Sequence, residues 1–171
     1  ANWNNDGLDI DSRNVVVSDC YIDCDDDALC LKSDTDTPCE NVTVTNCVLK
    51  SNCNAIKFGT SSYSGFKNVT ISNCTIDRAS EDHIRQWYKN YPWIGTKHKT
   101  VVAGIALESV DGGIIENVSI SDIAMQGVQT PIFVRLGDRK RTFSKQMSRI
   151  NDVMISRIIA RSEGKIACSI T

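Results

Sequence analysis

Asn14-Val-Val-Val-Ser-Asp-Cys20, Asn41-Val-Thr-Val-Thr-Asn-Cys47 and Asn68-Val-Thr-Ile-Ser-Asn-Cys74 are one motif written three times, and Asn117-Val-Ser-Ile-Ser-Asp-Ile123 and Asp152-Val-Met-Ile-Ser-Arg-Ile158 continue it. Within each copy apolar and polar residues alternate with period two, the pattern of a half-buried strand. About fourteen residues after each start comes a second strand: Ala28-Leu-Cys-Leu-Lys-Ser33, Ala55-Ile-Lys-Phe-Gly-Thr60, Gly104-Ile-Ala-Leu-Glu-Ser109, Pro131-Ile-Phe-Val-Arg-Leu136 and Lys165-Ile-Ala-Cys-Ser-Ile170. Gly7-Leu-Asp-Ile-Asp-Ser12 is the same strand from an earlier coil, and the third repeat alone is stretched, by an insert over 79–103.

Short strands recurring without a helical period between them predict an all-β, right-handed parallel β-helix, a single solenoid domain over 1–171 with about six coils. Coils stack about 4.8 Å apart, so equivalent residues form columns. One inward column then reads Leu8, Leu29, Ile56, Ile105, Ile132, Ile166, and the next Ile10, Leu31, Phe58, Leu107, Val134, Cys168. Asn14, Asn41, Asn68 and Asn117 fall at one turn, where stacked amides can bond along the column. The sequons at Asn41, Asn68, Asn73 and Asn117 read as by-products of that turn. Cys20, Cys47 and Cys74 occupy an inward column as small hydrophobes. Cys24, Cys30, Cys39 and Cys53 are able to pair, with the connectivity left open.

The chain opens on the second half of a coil with no cap, so a piece of a longer protein is expected, one whose earlier coils carry any secretion signal. A secreted or periplasmic location follows as an expectation. With 19 Lys+Arg against 21 Asp+Glu there is no basic footprint for a nucleic-acid partner. No apolar run approaches the roughly 18 residues of a membrane span.

Outward columns are free to carry chemistry. Register puts Asp6 beneath Asp27 and Asn5 beneath Asp26, so three unpaired carboxylates converge, Asp6, Asp26 and Asp27. Crowding of this kind raises at least one pKa. One protonated and one ionised carboxyl is what glycosidic-bond cleavage requires. An acidic turn is the structural alternative, since Asp and Asn are common there. Further along, one outward column reads Asp9, Cys30, Lys57, Ala106, Phe133 and the next Asp11, Lys32, Gly59, Glu108, Arg135. These make a groove for a polar polymer, or a solvated face with cross-coil bridges such as Asp11–Lys32 and Glu108–Arg135. Gly59 leaves a gap where a sugar ring fits. In the insert, Trp87, Tyr88, Tyr91, Pro92 and Trp93 either stack on sugars or seal the insert to the solenoid. His83 and His98 lack a metal-ligand partner.

Asn4-Asn5-Asp6-Gly7 followed by Asp25-Asp26-Asp27 resembles the Asn-Thr-Asp-Gly and Gly-Asp-Asp motifs of glycoside hydrolase family 28, the polygalacturonases and rhamnogalacturonan hydrolases. The spacing between the two motifs fits as well, and the repeats extend the resemblance over nearly the whole chain. It implies a pectin-lyase-like solenoid, Asp26 as general acid, Asp6 and Asp27 as the pair activating water, and inversion at the cleaved carbon. Two family motifs depart. Gly-His-Gly is replaced by Cys53-Asn54-Ala55, with Asn54 in the His position. Arg-Ile-Lys, which binds a uronate carboxylate, aligns with Ala106-Leu107-Glu108, where Glu repels that group.

Asn54, Lys57, Glu108, Arg135 and Lys32 are therefore the expected substrate contacts, with Lys57 and Arg135 available to an anionic sugar in another pose. The implied enzyme is a divergent monomeric hydrolase of pectic, including rhamnogalacturonan-type, oligo- or polysaccharide, needing no metal or cofactor. Two alternatives stay open. One is a calcium-dependent polysaccharide lyase using Asp23, Asp25, Asp26, Asp27, Asp34 and Asp36, with Lys57 or Arg135 as base. The other is a non-catalytic carbohydrate-binding solenoid.

Overall fold

Val15, Val42, Val69, Val118 and Val153 stand in one column, and Val17, Val44, Ile71, Ile120 and Ile155 in the next inward one, as the repeats imply. The computed structural model describes residues 5–80, 101–140, 146–164 and 168–171. Its strands are β1 (Leu8–Ile10), β2 (Arg13–Ser18), β3 (Tyr21–Cys24), β4 (Leu29–Ser33), β5 (Cys39–Thr45), β6 (Val48–Ser51), β7 (Asn54–Ser62), β8 (Phe66–Arg78), β9 (Val101–Ser109), β10 (Ile114–Leu136), β11 (Arg149–Ser162) and β12 (Cys168–Ile170). Every pairing among them is parallel and joins successive coils, so the fold is an all-β parallel β-helix.

Each coil has three faces where the sequence pattern suggested two strands. The first is β1, β4, β7, β9, the end of β10 and β12; the second is β2, β5 and the starts of β8, β10 and β11. A third runs through Tyr21, Val48, Thr75, Ala124 and Ile159, from β3 to the end of β11. Two turns with left-handed backbone make the corners. Asn14, Asn41, Asn68, Asn117 and Asp152 have φ of 59°, 56°, 54°, 52° and 51°, and Asp19, Asn46, Asn73, Asp122 and Arg157 repeat this at 56°, 58°, 54°, 56° and 51°. Asn and Asp tolerate that region because their short polar side chains bond locally. At the first corner the expected amide ladder is present: Asn41 Nδ2 donates to Asn14 Oδ1 (2.9 Å), Asn68 to Asn41 (3.0 Å) and Asn117 to Asn68 (2.8 Å).

The core is the stack of inward columns. Leu29, Leu31, Ile56, Phe58, Ile105 and Leu107 are all but inaccessible, and Phe58 packs edge-on against Phe66 with ring centroids 5.3 Å apart. The last coil differs from the expected register. Ile132 pairs with Cys168 and Val134 with Ile170, where Ile166 and Cys168 were expected. A slip of two keeps every side chain on its face, so alternation alone does not detect it. The third repeat is also not alone in being stretched, because twelve residues separate the end of β10 at Leu136 from the start of β11 at Arg149. Strand pairing resumes after the insert at Val101. The insert aromatics, His83, His98, Asn4 and Ile166 lie outside the described residues. None of the eight cysteines is in a disulfide, so none of the conceivable bridges is formed.

Candidate active site

The turn that leads into the first face places the acidic residues. Gly7 N donates to Asp27 O (2.8 Å) and Asp26 N to Asn5 O (3.3 Å), which sets Asp6 beside Asp27 and Asn5 beside Asp26 as the repeat predicts. Gly7 is required there: a Cβ would lie 2.3 Å from Ile22 Cγ2 and 2.6 Å from the Ala28 carbonyl oxygen. One coil on, Ala28 N donates to Asn54 O (2.9 Å), so Asn54 takes the place above Asp27.

The three aspartates are not equally unpaired, contrary to expectation. Asp27 is almost fully buried and both its oxygens are engaged. Oδ1 accepts from Asn54 Nδ2 (2.7 Å) and Asn54 N (3.1 Å), and Oδ2 lies 2.9 Å from Lys57 Nζ. Burial opposes ionisation of Asp27, but Lys57 and the Asn54 donors outweigh it and hold the carboxyl below its usual range. Asp6 has a weaker partner, Lys32 Nζ at 3.4 Å. Burial, then the negative charges of Asp27 and Asp9, raise Asp6 from 3.8 to about 6, with Lys32 pulling the other way. Asp26 is half-buried, and its carboxylate has no hydrogen-bond or ion-pair partner among the described residues. Its backbone carbonyl is gripped instead, by Ser51 Oγ at 2.5 Å and Cys24 Sγ at 3.3 Å.

The other expected contacts fall into two charge clusters. Lys57 bridges Asp27 and Glu108, the latter at 4.0 Å, and the Lys57, Asp27 and Glu108 side chains are only 13%, 4% and 11% exposed. Burial raises the Glu108 carboxyl against the pull of Lys57. Lys32 joins Asp6 to Asp9 (3.6 Å), and the expected bridge to Asp11 does not form. Asp11 Oδ2 accepts instead from Asp34 N at 3.0 Å. Arg135 pairs in register with Glu108 and is exposed. Between these groups Cys30 and Ala106 are fully covered, both 0% exposed.

Gly59 is not a gap. A Cβ there would meet the Glu108 carbonyl oxygen at 2.2 Å, and φ is +95°, so the glycine admits the next coil's backbone. Arg139, on the connection 137–148, was not anticipated. Its guanidinium clasps the buried Asp111 through two nitrogens and donates to Thr60 O at 3.2 Å, fixing the strand end beyond Gly59. No repeat marks Arg139, because it lies on an irregular connection.

The acidic residues weighed for calcium do not assemble. Among the described residues two sets bring metal-ligating atoms within 4.8 Å, Asp6–Asp27–Cys30 and Asp26–Asp27–Cys53, and Asp23, Asp34 and Asp36 belong to neither. Burial pushes the Cys30 thiol up, so it stays neutral, and Ca²⁺ takes oxygen ligands. Asp25 is held elsewhere, accepting from Asn52 Nδ2 at 2.8 Å.

The raised Asp6 carboxyl has a consequence for stability. It binds its proton more tightly in the fold, at about 6, than at the ordinary 3.8, so its favourable contribution is full below about 3.8 and lost as pH rises through 6. Asp6→Asn removes that ionisation cost. It is expected to stabilise the protein by roughly 2 kcal/mol at pH 7 and to change little at pH 4. Urea unfolding at the two pH values checks this, and an equal effect at both contradicts it. Compared with models of protein families and with curated proteins, the chain finds no match.

Proposed function

We propose that this chain is an inverting glycoside hydrolase of the polygalacturonase and rhamnogalacturonan hydrolase type, acting on a plant cell-wall oligo- or polysaccharide. The observation that carries the reading is three neighbouring carboxyls in three different environments. Asp27 is held ionised, the Asp6 carboxyl is raised to about 6, and Asp26 is half-buried with no hydrogen-bond or ion-pair partner for its carboxyl among the described residues. Neighbouring carboxyls in unlike environments can divide acid and base work between them, and the family resemblance gives Asp26 the acid's part.

Asp26 enters the reaction as the acid. It gives its proton to the glycosidic oxygen as the carbon–oxygen bond breaks. Asp6, in its ionised form, takes a proton from a water whose oxygen attacks the anomeric carbon from the opposite face. The product is a hemiacetal of inverted configuration, with the proton on Asp6 and the charge on Asp26, and solvent resets both. Within the pair that activates water, Asp27 is the fixed charge: Asn54 and Lys57 occupy its oxygens, and its field helps keep Asp6 basic.

The test is product analysis with pectic and rhamnogalacturonan oligosaccharides, with and without a chelator. Saturated products formed equally in both support the hydrolase. Unsaturated products lost on chelation overturn it in favour of a lyase, and saturable binding without product overturns it in favour of a binding solenoid.

A further inference from the structure

Among the described residues the proposed active site has no cation to spare for an acidic sugar. Five carboxyl groups gather at the site, Asp6, Asp9, Asp26, Asp27 and Glu108, against the two ammonium groups of Lys32 and Lys57, so that with Asp26 protonated as the acid four carboxylates still face two ammoniums. Each lysine already spans two of those carboxylates. Lys57, the deeper one, sits 2.9 Å from Asp27. A uronate that recruited Lys57 would leave Asp27 buried without its counter-charge, which costs more than an exposed pair gains. Arg135 lies three rungs from Asp27 along the solenoid axis, about 14 Å, and five residues further along the strand, roughly 16 Å, where it stands beside Glu108.

Resting on the hydrolase reading, we propose that the ring bound against Asp6, Asp26 and Asp27 is a neutral sugar, and that a carboxylate on this ring is rejected. The mechanism of rejection is electrostatic. A carboxylate brought against this surplus of negative charge meets like charge and gives up part of its own hydration. A neutral ring has no such cost, and its hydroxyls can donate to the unpartnered oxygens of Asp26. Acidic units elsewhere on the chain are tolerated near Arg135.

The experiment compares one oligogalacturonide with its carboxyl-reduced form, in which each carboxylate has become a primary alcohol at unchanged linkage and length. Binding to the full-length protein is measured by calorimetry at low and high salt, with product formation followed in parallel. The expected result is that the reduced form binds about tenfold tighter or more at low salt, and that high salt narrows the gap. Glu108→Gln, which relieves Lys57 of one carboxylate, is expected to narrow it too. Native oligosaccharide binding as well as the reduced form, or better, overturns the proposal, and so does the absence of binding by either. Failure of the hydrolase reading looks different: the reduced form binds better and neither is cleaved.

Discussion

Asp26→Asn is expected to lower turnover of an unactivated oligosaccharide by about 10³-fold or more, within the range general-acid removal produces, with little change in the fold. Asparagine matches the aspartate in shape but has no acidic proton for the leaving oxygen. The structural cost is small because the Asp26 carboxylate holds nothing together among the described residues, while the contacts to its backbone carbonyl survive the change. Substitutions of that kind shift stability by about 0.5 kcal/mol or less. A second readout separates loss of the acid from damage to the site. An aryl glycoside with an acidic phenol as leaving group needs no protonation, so Asp26→Asn is expected to retain much of its activity on it. Undiminished turnover of the ordinary substrate removes Asp26 from the mechanism.

Lys57→Met carries the largest expected effect on stability, a loss of about 3–5 kcal/mol, the cost of breaking a buried ion pair from one side. Methionine keeps much of the lysine's length and volume, so packing changes little and the effect reports charge. Asp27, already almost inaccessible, loses the cation on Oδ2 and keeps only the Asn54 donors on Oδ1, and Glu108 loses its neighbour at 4.0 Å. Because the pair acts as a unit, Lys57→Met combined with Asp27→Asn is expected to recover part of the loss. Denaturant unfolding of both variants checks this. A single variant as stable as the wild type contradicts the buried bridge.

Much of this was legible in the chain itself. The Asn14, Asn41, Asn68 and Asn117 repeat reported a real amide ladder, and period-two alternation sorted inward from outward residues at nearly every coil. Columns also placed Asp6 beside Asp27 before any side chain was seen. What escaped has identifiable causes. The third face is built from four-residue strands such as Tyr21–Cys24 and Val48–Ser51, too short to show a period. Its marker was present in the recurring Asp or Asn at 19, 46, 73 and 122, which turns the chain a second time. Gly59 misled because a missing Cβ reads alike as an opening or as a close approach, and only the Glu108 carbonyl decides.

Side-chain reach was the other blind spot. Register put Lys57 beside Cys30 and Lys32 near Asp11. A lysine stem spans more than one rung, and each ammonium settled on the carboxylates it neutralises best: Lys57 on Asp27, Lys32 on Asp6 and Asp9. That choice turned three apparently alike aspartates into a buried fixed charge, a carboxyl titrating near 6 and a half-buried carboxyl with no partner among the described residues.

The most direct measurement is the configuration of the first product. Proton NMR of a digestion in progress reads the anomeric signal before mutarotation mixes the two forms. The hydrolase mechanism predicts that the initial hemiacetal has the configuration opposite to the cleaved linkage, and that Asp26→Asn produces none of it from the same substrate. A first product of retained configuration, or inverted product formed equally by the variant, contradicts the assignment of acid and base to these aspartates.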